Sequence, residues 1–252
     1  KRYFSGIIDT LAHALRSDSL TIMSKKSVAE AVSTLLALNR EDLTSGGHIT
    51  RLAEPLFRLS YDALQNGFED CDDDNFWTVF TQISENLPEE QGFNLMAPLT
   101  VTMAENSETH VRAAGLYVMS LLVDGLKQPL SELDADSKSP SLVQQMLPFA
   151  VRGLSDPSPL VSEAALRATA SFIQALDSMF PPEGYKTVFP ETMRHLGGEN
   201  PNLIRAAHEL TCKFIEHMSP EQIIQATPEM LRQAQETLSI GSTKNHTETM
   251  KC

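Results

Sequence analysis

Cysteine is scarce in this 252-residue chain, with three in all, at Cys71, Cys212 and Cys252. An odd, widely spaced set builds neither a disulfide framework nor a zinc ribbon, and it suits a reducing compartment. Aromatic residues make up only 6% of the chain, so its core must be assembled mostly from aliphatic side chains and alanine. No apolar run approaches the roughly 18–20 residues of a membrane span. Bases are outnumbered, 20 Lys and Arg against 33 Asp and Glu, which gives a net charge of −13. A chain of that sign repels phosphate backbones unless it carries a local basic patch. "SKKS" (Ser24–Ser27) is only two lysines, so direct nucleic-acid binding is not expected. The acidity suits basic partners, and it equally suits plain solubility.

Catalytic signatures are missing as well. There is no GxSxG and no P-loop. "SGGH" (Ser45–His48) reads as a loop that caps the following helix, not as a phosphate cradle. "HELTC" sets His208 and Cys212 one helical turn apart but lacks the second histidine of a zinc-protease motif. Cys212 is expected to be buried there and His208 exposed. "EDCDDDNF" (Glu69–Phe76) offers no register with glycine sixth and glutamate twelfth, so a calcium loop fails. Its acids read as N-terminal charge for a helix beginning near Asn75, each worth roughly 0.3–1 kcal/mol when well placed. A basic-partner site is the alternative. Trp77, beside Phe76 and Phe80, reads as core at the edge of a stripe, with a peptide anchor as the alternative. No catalytic, cofactor-binding, metal-binding or partner-binding residue is assigned, and the chain reads as a non-enzyme without a cofactor.

Helical spacing, in contrast, recurs almost everywhere, and β-alternation almost nowhere. One stripe runs through Val161, Ala164, Ala165, Ala168, Thr169, Phe172, Ile173 and Leu176. Others run through Val28, Ala31, Val32, Leu35 and Leu36, through Ile49, Leu52, Ala53, Leu56 and Phe57, and through Phe76, Val79, Phe80, Ile83 and Leu87. Two more follow, at Val111, Ala114, Val118 and Leu122, and at Ile204, Ala207, Leu210, Phe214 and Ile215. Most carboxylates fall opposite these stripes, as on a solvated face; Glu163 and Arg167, spaced i,i+4, read as a weak surface pair. The spacing predicts about ten helices and an all-α fold.

The prolines sort into two kinds. Pro159 after Ser158, Pro201 after Asn200 and Pro220 after Ser219 start helices, because a first-turn proline forfeits no hydrogen bond. Gln222 could complete a capping box with Ser219. Pro98, Pro148 and Pro190 fall within apolar helical patterns and are expected to kink them. Aligned on these three, the segments from Ala97, Leu147 and Phe189 read alike. Each has a proline-bearing helix, a polar turn with Asn106, Asp156 or Asn200, and an alanine-rich helix. The spacings are about 50 and 42 residues, the longer one holding the loop "QPLSELDADSKSP". Helix pairs repeating at about 40–47 residues mark HEAT or armadillo solenoids, whose units bury their apolar faces only by stacking. The paired alanines at 113–114, 164–165 and 206–207 let neighbouring helices approach closely.

The expected organisation is a right-handed superhelical α-solenoid of antiparallel helix pairs over residues 1–238, then a disordered tail over 239–252. "KRYFSGIIDTLAHAL" is interrupted by Asp9 and His13 and does not read as a signal sequence. Without a leading Met it reads as the interior of a longer array, cut at a repeat.

"VRAAGL", "VSEAAL" and "IRAAHEL", each after an Asn or Asp turn, resemble HEAT repeats. The resemblance implies that Arg112, Arg205 and Asp156 belong to a structural ladder between repeats. Ser162 stands where the arginine would be, and Asn106 and Asn200 stand where the aspartate would be. Within HEAT proteins, the stretch from Asn75 to Met218 resembles the importin-β (karyopherin-β) family. Carrying that resemblance are "DPSP…V…AAL" with its following proline-bearing helix, and "DDDNFWTVFTQISENLPEEQGFNLMAPLTVTM". It implies a monomeric transport receptor, cytoplasmic and nuclear, binding basic cargo proteins and releasing them under Ran-GTP. No cargo or Ran residue carries over. On this reading the second helices should line a concave acidic surface. The alternative is a HEAT scaffold of the phosphatase-adaptor kind.

Overall fold

The computed structural model describes residues 2–45, 47–66, 80–82, 85, 89–125, 142–176, 180, 182–217, 220–221, 223–224, 227–228, 231–232 and 235. Among them ten helices follow in order. These are α1 (Arg2–Arg16), α2 (Ile22–Leu38), α3 (Arg40–Ser45), α4 (His48–Gln65) and α5 (Glu89–Ala104), then α6 (Thr109–Asp124), α7 (Leu142–Gly153), α8 (Pro159–Leu176), α9 (Pro182–Leu196) and α10 (Pro201–His217). The described residues contain no strand, and the fold is all-α.

Turns of four or five residues join α5 to α6, α7 to α8 and α9 to α10, which leaves each pair no option but to lie antiparallel. The second helix of each pair packs on the second helix of the next. This row runs α1, α4, α6, α8, α10, and α5 packs on α7 in the first-helix row. α2 belongs with the first helices, packing on α1 and α4. Its Ser33 hydroxyl donates to Gln82 at 3.2 Å. The architecture is a helical-repeat solenoid.

The stripes explain the stacking. α6 is buried continuously from Ala113 to Ser120 and α8 from Val161 to Leu166, because each lies between two neighbours of its own row. The expected stripe on α8 is buried throughout, as is that on α4. Two stripes sit rotated from expectation. α2 buries Lys25, Ala29, Val32, Ser33 and Leu36 and leaves Ala31 exposed. α10 buries Ala206, Ala207, Leu210, Thr211 and Phe214 and leaves Ile215 44% exposed. Of the stripe at 76–87, only Phe80 is among residues whose burial is described, and it is fully buried.

Pro98, Pro148 and Pro190 lie inside α5, α7 and α9, all first helices, with their rings exposed. Each removes one i→i−4 hydrogen bond, and the exposed side of a helix tolerates that loss because water can meet the freed carbonyl. Pro55, inside α4, is buried and was not singled out by the pattern. α8 and α10 begin at Pro159 and Pro201 as expected; Ser219 and Gln222 lie outside the described residues.

Two glycines are invisible to periodicity and set how closely the two helices of a pair approach. A Cβ on Gly115 of α6 would stand 2.8 Å from the Ala104 amide nitrogen and 2.9 Å from the Thr100 carbonyl, both backbone atoms of α5. On Gly153, at the end of α7, it would stand 2.8 Å from the Ala165 Cβ. Gly115→Ala gains helix propensity but must push two backbones apart, so a net loss of about 1–3 kcal/mol is expected in urea unfolding.

Candidate partner-binding face

The three polar turns are built alike. Asn106, Asp156 and Asn200 each accept, on Oδ1, the backbone N–H two residues on, at 2.9, 2.9 and 3.0 Å. A short polar side chain thus meets a donor that the start of the second helix leaves free. Asn200 accepts a second amide, Leu203, at 3.4 Å, and serves as the cap expected before Pro201. Arg112 then ties one turn to the next. Its guanidinium donates to the Asn106 and Ser107 carbonyls of its own turn, at 3.2 and 2.7 Å. It also donates to both oxygens of Asp156, at 3.0 and 3.3 Å. This is the ladder rung that the HEAT resemblance implied. At the following position Ser162 donates instead to the Asp156 carbonyl, at 2.9 Å. There α9 reaches back, with Arg194 donating to the Leu154 carbonyl at 3.1 Å and His195 Nε2 lying 2.8 Å from it.

Glu163 corrects the expectation of a solvated surface pair. It is buried in the α6–α8–α10 row, with Arg167 Nη2 donating to Oε1 at 3.2 Å. The Tyr117 hydroxyl from α6 faces it, and Arg205 from α10 adds positive charge. Burial raises the Glu163 carboxyl above its ordinary range, against the pull of Arg167, Tyr117 and Arg205. The pair looked exposed in sequence because i,i+4 spacing carries no information about which helix covers it.

The N-terminal junction is more polar. Between α1 and α4, Asp9 pairs with Arg51 at 2.8 Å and Arg16 with Glu54 at 2.8 Å, all four well exposed. Asp18 reaches Arg58 at 3.3 Å. Exposed pairs of this kind contribute about 0–1 kcal/mol each. Lys25, one of the two lysines of "SKKS", is buried and holds Asp62 at 2.8 Å. Tyr61 donates to Glu108 at 3.2 Å and also bonds Gln65. None of these pairings was indicated by the sequence pattern.

The second helices do not form an acidic surface, which corrects the expectation drawn above. In α4, α6, α8 and α10 the acids Glu54, Asp62, Asp124, Glu163, Glu209 and Glu216 are matched one for one by Arg51, Arg58, Arg112, Arg167, Arg205 and Lys213. Acid and base are balanced along the row, and several are spent on each other. Counted over all ten helices, α1, α2 and α7 are each one positive, α3 is one negative, α5 is two negative and the other five are neutral. They cancel, so the net −13 lies outside these ten helices.

The remaining motifs are not drawn together. Cys212 is exposed rather than buried, because the covered face of α10 runs through 206, 207, 210, 211 and 214 and position 212 falls beside it. His208 is exposed as expected, its Nδ1 3.8 Å from Cys212 Sγ. Among the described residues no group of three or more His, Cys, Asp or Glu could hold a metal ion. No described helix is long and apolar enough to cross a membrane. Of "SGGH", expected to be a capping loop, Ser45 ends α3 and His48 begins α4, with Gly47 before it at φ 63° and no side-chain cap. Cys71, the Glu69–Asn75 acids, Phe76, Trp77, Cys252 and the 239–252 tail lie outside the described residues.

No protein-family model matches the chain, and no curated protein matches it. Among solved structures it is similar to a designed armadillo repeat protein at 15% identity and a TM-score of 0.48, over 95% of this chain and 94% of that one. A computationally designed armadillo repeat protein for modular peptide recognition is similar at 15% identity and 0.46, over 92% and 98%. A third, solved in complex with the peptide (KR)4, is similar at 14% identity and 0.42, over 92% and 98%. Likeness at this level assigns neither a family nor an activity to the chain.

Proposed function

We propose that this chain is a non-enzymatic protein-binding repeat module whose partners are basic polypeptides. The observation that carries the reading is the division of charge. The ten helices described above are neutral as a set, while the residues outside them carry the net −13. A net charge that the ten helices do not balance among themselves attracts a partner of opposite sign and speeds its encounter.

The finer form of the proposal comes from the sequence resemblance. In it the chain is part of an importin-β-like transport receptor, acting in cytoplasm and nucleus on basic cargo released under Ran-GTP. The balanced second-helix row favours one alternative. A HEAT scaffold that assembles an enzyme complex has no need of an acidic inner face. An affinity capture from cell extract at low and physiological salt, read by mass spectrometry, separates the two. Ran with basic nuclear or ribosomal proteins, lost as salt rises, supports the transport reading. One enzyme subunit retained at both salts without Ran supports the scaffold and overturns transport.

A further inference from the structure

We propose that this chain stacks head to tail on a second copy of itself, with α1 of one copy seated on the α10 end of the next. The order of helices leaves half a repeat at each end of the described array. α1 opens the second-helix row, yet among the described helices only α2 and α4 pack closely on it, and α2 is the first helix of the following repeat. At the other end, the described residues from 220 to 235 are all helical and follow α10, where the order calls for a first helix. Pro228 stands exposed among them, the mark that α5, α7 and α9 carry at Pro98, Pro148 and Pro190. A first helix without a second and a second helix without a first make one whole repeat between two copies.

Each half presents side chains for the contact. Ile8, Ala12 and Leu15 of α1 are buried against its own neighbours. Beside them runs a second stripe, Phe4, Ile7, Leu11 and Ala14, at the alternating three- and four-residue spacing by which helices interlock. Ile7 is 47% exposed and the other three are half-buried. On the C-terminal half Ile224 is 72% and Leu231 58% exposed, two turns apart on one helix face. Ile204 and Ile215 share the open flank of α10, the first half-buried and the second exposed. Solenoids close their ends with polar faces. These ends are aliphatic instead.

Charge selects the head-to-tail arrangement over head-to-head. Residues 1–16 hold three bases against one acid, and residues 199–236 hold three bases against six acids. Unlike ends attract and like ends repel. Seated in this way, α1 extends the second-helix row beyond α10 and takes the 220–235 helix as its first helix. The contact joins two different patches, so each pair keeps one of each open and can add further copies.

The test is sedimentation equilibrium of the whole chain across the micromolar range, with one blocked variant for each end. Ile7→Glu blocks the N-terminal patch and Leu231→Glu the C-terminal one. Both positions are exposed, so the fold should survive, which circular dichroism checks; Ile7→Ser and Ile224→Glu take their places if either folds poorly. Wild type should rise above the monomer mass with concentration, and less so as salt increases. Each variant alone should associate about tenfold more weakly or worse, because every contact then lacks one patch. An equimolar mixture of the two should regain association, but only as far as the dimer, since one intact patch of each kind remains. A wild type that stays monomeric throughout overturns the proposal. So does a mixture that stays monomeric, or a single variant that associates as wild type does, which would show a like-to-like contact.

Discussion

Phe172→Ala is expected to cost about 3–5 kcal/mol in chemical unfolding, the largest loss from any single truncation discussed for this chain. Phe172 is fully buried in the middle of α8, the helix that touches α6, α7 and α10. Truncation there removes a ring and leaves a cavity that helices pinned on three sides cannot close. In a repeat array the stability of each unit depends on its neighbours, so the damage spreads both ways along the row. Ile215→Ala supplies the contrast. Although Ile215 shares the apolar spacing of α10, it is 44% exposed, and its loss should stay below about 1 kcal/mol. A comparable loss at both positions would mean that α10 is turned differently from the orientation described.

Arg167→Ala is expected to cost about 2–4 kcal/mol, because it strands the buried Glu163 carboxylate. The cost is capped from two sides. Tyr117 and Arg205 still face the carboxylate, and Glu163, already raised by burial, can take up a proton. The double variant Glu163→Leu, Arg167→Leu should be less damaging than Arg167→Ala alone, since an apolar pair leaves no charge without a partner. A double variant worse than the single one would show that the network supplies net stability rather than only requiring its own completion.

Much of the architecture was legible because it depends on local rules. A proline after Ser158 or Asn200 begins a helix whatever surrounds it, and Asn106, Asp156 and Asn200 hold their turns through bonds to residues two places on. Repetition of the same order made stacking the natural outcome, and the Arg112–Asp156 rung followed from the resemblance to HEAT repeats. What stayed hidden depends on which helix covers which. Glu163 and Arg167 have the same spacing on an exposed face as in a buried row. Lys25 reads as a surface lysine until Asp62 is placed against it. Gly115 is one more small residue after two alanines until the α5 backbone is found against it. Cys212 was misplaced for the converse reason, since one residue of rotation about α10 exchanges a buried site for an exposed one.

Function was legible mainly as charge. The acidity was plain in composition, yet its position was not, and the expected acidic inner surface gave way to a row in which every acid has a basic counterpart. The central claim is that the net acid outside the ten described helices recognises basic partners. Its most direct test is the affinity of a fluorescent Lys/Arg-rich peptide and of a neutral peptide of equal length, by anisotropy, at low and physiological ionic strength. The expected result is tighter binding of the basic peptide at physiological ionic strength, with affinity falling steeply as salt rises. Equal affinity for the two peptides under that condition would contradict the account.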